Sequence, residues 1–297
     1  MIKRHFHSGL LFLTALIWGV AFVAQRVGMD FVGPLTFGGV RFALGGLSLI
    51  PVLLLFERGA KDKAKTRRTL RTGVLCGVVL FFATSLQQYG VLLTGSAGRS
   101  GFITGLYIIL VPVFGVFLGR KLTLPQWCGA GCALVGMYLL SVTSGFGSIN
   151  LGDALLIVCA VFWTLHILII DKYANDVYSV RFSMTQFLVC AALSMIGAFA
   201  TETVSWDTIY ACRVPLLYGG VLSVGVAYTL QVVGQRGVEP SKAAIIFSLE
   251  SLFSVVGAAI LLGERMTARG YIGCAFIFAG IILSQLQRRR RESLPPS

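Results

Sequence analysis

Residues 117–123 read FLGRKLT, and residues 261–267 read LLGERMT. The two heptapeptides lie 144 positions apart, as do LQQYG (Leu86 to Gly90) and LQVVG (Leu230 to Gly234). The same shift brings Gly129 over Gly273 and Gly136 over Gly280, and a shift of 145 brings Trp18 over Trp163 and Arg41-Phe42 over Gln186-Phe187. Self-similarity at a fixed offset means that one structural unit is used twice. The chain therefore reads as two related halves, roughly 1–145 and 146–297.

Each half is too apolar for water. Of 297 residues, 56% are hydrophobic and 12% charged, and the mean hydropathy is +0.83, whereas a typical soluble domain is about a quarter charged. A helix needs roughly 20 mostly apolar residues to cross the hydrocarbon core. Ten stretches meet that need, at 8–27, 34–56, 73–93, 97–119, 126–142, 152–170, 181–200, 214–234, 242–262 and 270–287. The short connections leave no room for a soluble domain. Five spans per half is an odd number, so the second half enters the membrane with opposite polarity. The expected fold is an all-α integral membrane protein with ten transmembrane helices in two inverted five-helix repeats, the architecture of secondary transporters, whose site lies where the halves meet. The first half ends with helix 5 and the second carries helices 6–10 and a basic tail. A duplicated, non-transporting membrane scaffold is the competing class, but it gives the buried polar groups no role.

The net charge of +13 suggests nucleic acid only until its distribution is examined. With the N-terminus cytoplasmic, 19 of the 25 Lys and Arg fall on the inner side, in short connections such as Lys63 to Arg71 and the Arg288 to Arg291 tail. Arg26, Arg99, Arg213, Arg265 and Arg269 fall on the other side, and Arg41 lies within a span. That asymmetry is the positive-inside pattern, and it places both termini in the cytoplasm. Aromatics interleaved with basic residues, as a single-strand binder needs, are missing, so no nucleic-acid partner is expected. The 57–71 loop and the tail are able to touch anionic lipid. Lys3 and Arg4 ahead of an apolar run imitate a secretory signal, but positions around Ala21 to Ala24 lack the small-x-small cleavage pattern and Arg26 follows directly, so the segment reads as an uncleaved span. The seven cysteines suggest no disulfide framework. Cys128 and Cys132, four apart on a helix, read as core packing because no His or acidic partner stands near them in sequence.

These features resemble the drug/metabolite transporter superfamily, and specifically its EamA-type ten-helix members. The resemblance is carried by TALIWG around Trp18-Gly19, VRFALGG at Val40 to Gly46, SAGRSGFITGLYIILVP at Ser96 to Pro112, SLESLFSVVGAAILLGE at Ser248 to Glu264 and GCAFIFAGIIL at Gly273 to Leu283. It covers residues 8–287 and implies export or exchange of small metabolites such as amino acids, nucleosides or drugs across a bacterial inner membrane by alternating access. No cofactor is implied. The sequence also lacks a G-x-x-x-x-G-K-[ST] phosphate loop.

Ionisable side chains inside a span are costly and face a cavity or a partner. Two are clearly internal, Arg41 and Glu250. Helical rise places them within about 10 Å of one another along the membrane normal. Three roles remain open: a structural ion pair, a zwitterion site with Arg41 on the carboxylate and Glu250 on the amine, or proton exchange at Glu250. Trp18, Tyr107, Trp163 and Tyr228 lie well inside their spans, and Gln87, Gln88, Gln186, Gln231, His166, Thr104 and Ser248 add hydrogen-bonding capacity. Trp18 and Trp163 stand out because they occupy corresponding repeat positions. For His166 an interhelical hydrogen bond comes ahead of a proton relay. Pro112 interrupts the backbone ladder of helix 4 and is the candidate hinge. Catalytic residues are not clustered, so an enzyme is not expected, and two buried charges are too few for a channel. Arg41 as the only clearly central cation speaks against polyanionic substrates. The expected partners are a small-molecule substrate, membrane lipid and, as a candidate coupling ion, the proton. The working unit is a monomer or homodimer.

Overall fold

A computed structural model of the chain describes residues 2–59, 62–94, 97–120, 122–141, 150–262 and 267–292. Lys61, Ser96, Lys121, Glu264 and Arg265 lie outside the described residues, as do the side chains of Lys3, Arg4, Arg99 and Arg288 to Arg291. All regular structure among the described residues is helical. The first half holds α1 (Ile2–Gly28), α2 (Pro34–Ser48), α3 (Ile50–Phe56), α4 (Lys63–Thr94), α5 (Ala97–Thr104), α6 (Tyr107–Phe117) and α7 (Leu124–Ser141). The second holds α8 (Leu151–Tyr173), α9 (Ser179–Thr201), α10 (Trp206–Ala211), α11 (Arg213–Leu217), a π-helical stretch (Tyr218–Tyr228), α12 (Thr229–Gly234), α13 (Pro240–Phe247), α14 (Leu249–Leu262) and α15 (Ala268–Glu292).

Seven stretches among the described residues are long and apolar enough to cross a membrane: Phe6–Gly28, Pro34–Phe56, Lys63–Thr94, Ser100–Phe117, Leu151–Tyr173, Ser179–Thr201 and Arg213–Gly234. Helices also occupy the other three expected positions, as α7, α13 with α14, and the shorter apolar Ala268–Leu283 part of α15. Leu55, Phe117, Ile196, Phe199 and Ile260 are exposed, a surface that water would not tolerate and lipid would. Cys128 is exposed as well, which corrects its expected place in the core: its helix turns that face outward.

Contacts recur in pairs at the sequence offset. Helices α7 and α15 pack tightly on each other. A Cβ added at Gly136 would stand 2.5 Å from the carbonyl oxygen of Gly273, and one added at Gly280 would stand 2.5 Å from that of Gly129. Only glycine permits this approach of two backbones. The Thr14 hydroxyl donates to the Ala227 carbonyl at 3.2 Å, and the Cys159 thiol donates to the Ala83 carbonyl at 3.2 Å.

The α2–α3 run and α9 are neighbours joined by crossed carboxylate caps. Glu202, following α9, accepts the backbone N–H groups of Leu35 and Thr36 at 2.7 and 2.8 Å and the Thr36 hydroxyl at 2.7 Å. Glu57, following α3, accepts the N–H groups of Val180 and Arg181 at 2.9 and 3.0 Å. Each carboxylate thereby satisfies unpaired donors at the positive end of the other helix. The two glutamates are 145 positions apart.

Several expected spans are interrupted rather than continuous. The 97–119 span breaks between α5 and α6, where the Leu106 N–H reaches the Ile103 carbonyl and the Ile108 N–H that of Gly105, in tighter three-residue turns. The 242–262 span breaks at Ser248, between α13 and α14, and the Ser251 N–H again bonds three residues back. Thr104 and Ser248 are equivalent at the 144 offset. Helix α6 runs on through Pro112, and the break in this span lies at Gly105 and Leu106. Just beyond the end of α6 lies Gly119, whose φ of 80° suits glycine. There the Arg120 N–H returns to the Gly115 carbonyl, closing the helix and directing Arg120 to Asp171, with which it forms an ion pair.

Candidate substrate site

Where α1, α2, α4, α8 and the interrupted helices meet, they line a partly open cavity whose empty space, with the solvent at its mouth included, is about 510 Å³. Trp18, Phe22 and Gln25 reach it from α1, Arg41 from α2, and Gln87 from α4. Thr104 and Tyr107 flank it at one helix break, and Phe247 and Glu250 at the other. Trp163 and Ile167 of α8, Ser223 and Tyr228 of the π-helical stretch, and Gln231 of α12 complete the wall. Interrupted helices at equivalent places in two halves are a recurrent marker of transporter binding sites, and a π-helical turn is a common companion of functional sites.

Aromatic rings form one side of the cavity. Trp18 lies 4.7 Å from Tyr228 and 5.4 Å from Phe247, centroid to centroid. Trp163 lies nearly parallel to Tyr228 at 6.1 Å and 6.4 Å from Trp18. Both indoles are fixed by hydrogen bonds: Trp18 donates to the Ser223 carbonyl and Trp163 to Gln87 Oε1, each at 3.2 Å. These partners satisfy the indole N–H groups where water is excluded.

The two charges sit on this cavity without pairing. Arg41 is 3% exposed, its guanidinium carbon lies 5.4 Å from the Phe37 ring and 5.0 Å from the Phe42 ring, and its Nε has no hydrogen-bond partner. Glu250 is 8% exposed, and its Oε1 accepts the Tyr107 hydroxyl at 3.0 Å. No ion pair within the 4.0 Å limit joins the two. The direct ion pair is therefore absent from this conformation, because Tyr107 holds the carboxylate and aromatic faces hold the guanidinium. The Thr104 hydroxyl, 3% exposed, is also without a partner.

Nine of the expected site residues meet here: Trp18, Arg41, Gln87, Thr104, Tyr107, Trp163, Tyr228, Gln231 and Glu250. Five do not line the cavity, among them Ser248, whose hydroxyl donates to the Ile245 carbonyl at 2.6 Å. His166 and Gln186 bond to each other, Nε2 to Oε1 at 3.0 Å, and His166 meets the Trp163 and Tyr228 rings edge-on from behind. Gln88 points to the sulfur of Met29, and Pro112 is buried within α6. Phe22, Gln25, Ile167, Ser223 and Phe247 are additional wall residues. Phe22 and Ile167 could have been found as the 145-offset pair one turn beyond Trp18 and Trp163. Among the described residues, no group of three or more His, Cys, Asp or Glu could hold a metal ion.

The wall is symmetric in its neutral residues and asymmetric in its charges. Trp18 with Trp163, Phe22 with Ile167, and Gln87 with Gln231 are offset pairs that all face the cavity. Arg41 corresponds to Gln186 and Glu250 to Leu106, so each half supplies one charge that the other lacks.

The EamA-like transporter family matches residues 7–142 and, a second time, residues 150–286. The chain belongs to this family. An uncharacterized transporter of Archaeoglobus fulgidus is 30% identical over 294 residues, covering 96% of this chain and 88% of that one. A probable terminal-alkyne amino-acid exporter of Streptantibioticus cattleyicolor is 29% identical, covering 96% of each. The uncharacterized inner membrane transporter YedA of Escherichia coli is 22% identical, with 94% of this chain and 90% of that one covered. A crystal structure with 21% sequence identity has the same fold, at a TM-score of 0.80 over 98% of this chain and all of its own. The family and these relatives are transporters, which points away from an enzyme, and a membrane transporter needs a small-molecule substrate and a lipid environment.

Proposed function

We propose that the protein is a secondary transporter that exports or exchanges amino acids, or similarly sized amphipathic metabolites, across the bacterial inner membrane. Ten spans in two inverted repeats, 1–145 and 146–297, move by alternating access, with both termini cytoplasmic and one chain sufficient for the path. The carrying observation is a single cavity that presents Arg41 and Glu250 apart from each other. An amino acid has two unlike charges, and a symmetric wall with one cation and one anion orients it. Arg41 receives the carboxylate, Glu250 with Tyr107 receives the ammonium, and Trp18, Trp163 and Tyr228 shelter the side chain. Charged hydrogen bonds in a water-poor cavity are strong enough to select a substrate. The amino-acid exporter among the relatives supports this substrate class, and the inner-membrane relative supports the location.

The second reading, proton-coupled efflux of drugs or toxic compounds, rests on the buried Glu250 carboxyl. Both are tested by flux into or out of proteoliposomes over a panel of labelled amino acids and lipophilic cations, with and without an imposed pH gradient. The amino-acid reading expects exchange of amino acids that Arg41→Gln abolishes. Flux that follows the pH gradient and is lost in Glu250→Gln favours coupling. If no panel member moves under any gradient, the transport proposal fails.

A further inference from the structure

We propose that Arg41 is also a binding site for a small monovalent anion, chloride or a halide like it, which occupies the guanidinium when no substrate carboxylate does. Three observations carry this. Arg41 is 97% buried, taking its 3% exposure, and it lines the cavity, yet its Nε meets no acceptor. Its two nearest aromatic neighbours, Phe37 and Phe42, contact the guanidinium through their rings and cannot accept all five of its N–H groups. Among the described residues the one acid on the cavity wall is Glu250, which is engaged by Tyr107 and does not reach Arg41.

A buried cation without a hydrogen-bonded counter-charge is strongly disfavoured, and Arg remains protonated in proteins. A mobile anion small enough for the cavity relieves that cost without rearranging the helices. Polyatomic dianions fit less well, because Glu250 supplies a negative charge to the same space and Arg41 is the one cation on its wall among the described residues.

The consequence is competition: external chloride lowers the apparent affinity for substrate by occupying the carboxylate position. This displacement rests on the cavity being the substrate site, whereas anion binding itself does not. The test is chloride NMR line broadening on the purified protein in detergent, with sodium chloride as the probe. Wild type is expected to broaden the chloride line in a saturable way. Acetate added at constant ionic strength narrows it, and Arg41→Gln reduces the excess width by about tenfold, as expected for loss of a charged hydrogen-bond donor set. Glu250→Gln, which removes the repelling charge, is expected to tighten chloride binding. Neutralising the exposed Lys172 instead leaves the width unchanged. Equal broadening in Arg41→Gln, or chloride binding that exists only in Glu250→Gln, overturns the proposal; the latter would make Glu250 the remote counter-ion. Circular dichroism of each variant confirms that the helices persist. Lack of chloride binding alongside Arg41-dependent amino-acid flux would remove the anion site and leave the transport proposal standing.

Discussion

Replacing Glu202 by alanine removes three short hydrogen bonds from the start of α2, the helix that carries Arg41. Each bond to a charged group contributes roughly 1.5–3 kcal/mol when sheltered. Glu202 is only half-buried, and water replaces part of the loss, so about 2 kcal/mol in total is expected. Glu57→Ala removes two backbone bonds from α9 that are slightly longer, for about 1.5 kcal/mol on the same scale. The run from Pro34 to Phe56 spans about 33 Å at helical rise, which separates the two caps far beyond the range at which mutational effects couple. The double variant should therefore lose the sum, about 3.5 kcal/mol. Glu202→Gln, which keeps one acceptor and loses the charge, should fall between wild type and alanine. The assay is equilibrium unfolding in mixed micelles of sodium dodecyl sulfate and a non-ionic detergent, followed by tryptophan fluorescence. A Glu202→Ala variant as stable as wild type, or a double variant no worse than either single one, would refute the crossed-cap account.

Two further outcomes follow from the geometry. Gly136→Ala and Gly280→Ala should each destabilise by about 1–3 kcal/mol, the usual range for overpacking, and by the same amount, because each new methyl meets an equivalent carbonyl oxygen; the same unfolding assay reads both, and a clear inequality would count against paired α7–α15 packing. Reversing Arg120 or Asp171 alone should weaken the contact between α6 and α8, and exchanging the two residues should restore about 1 kcal/mol of coupling. A double-mutant cycle on stability and flux checks this, and additive losses would mean that the ion pair does not connect the halves.

The repeat was legible because glycine contacts and aromatic positions tolerate little change. Gly136 and Gly280 could be aligned before any packing was known, and Trp18 and Trp163 identified the cavity in the same way. Arg41 and Glu250 stood out because charge inside hydrocarbon needs a reason. The helix breaks were not legible. Around Gly105 and Ser248 the chain stays apolar, and hydropathy measures transfer to lipid rather than backbone continuity. The π-helical stretch left no pattern beyond its glycines. The Glu57 and Glu202 pair was available from the 145 offset, yet acids at span ends are ordinary, and only the geometry shows them crossing to each other's helix. His166 and Gln186 illustrate the remaining ambiguity: two polar side chains on apolar helices can face a cavity or each other, and a sequence does not say which.

The central claim is that Arg41 and Glu250 read opposite ends of one substrate. Its most direct measurement is proteoliposome counterflow of one transported amino acid against three competitors: the amino acid itself, its decarboxylated amine and its deaminated acid. Wild type should prefer the zwitterion to both analogues. Arg41→Gln should lose the preference over the amine and keep that over the acid, and Glu250→Gln should do the reverse. If both variants keep the full wild-type preference, the two charges do not recognise the substrate, and the proposed site is wrong.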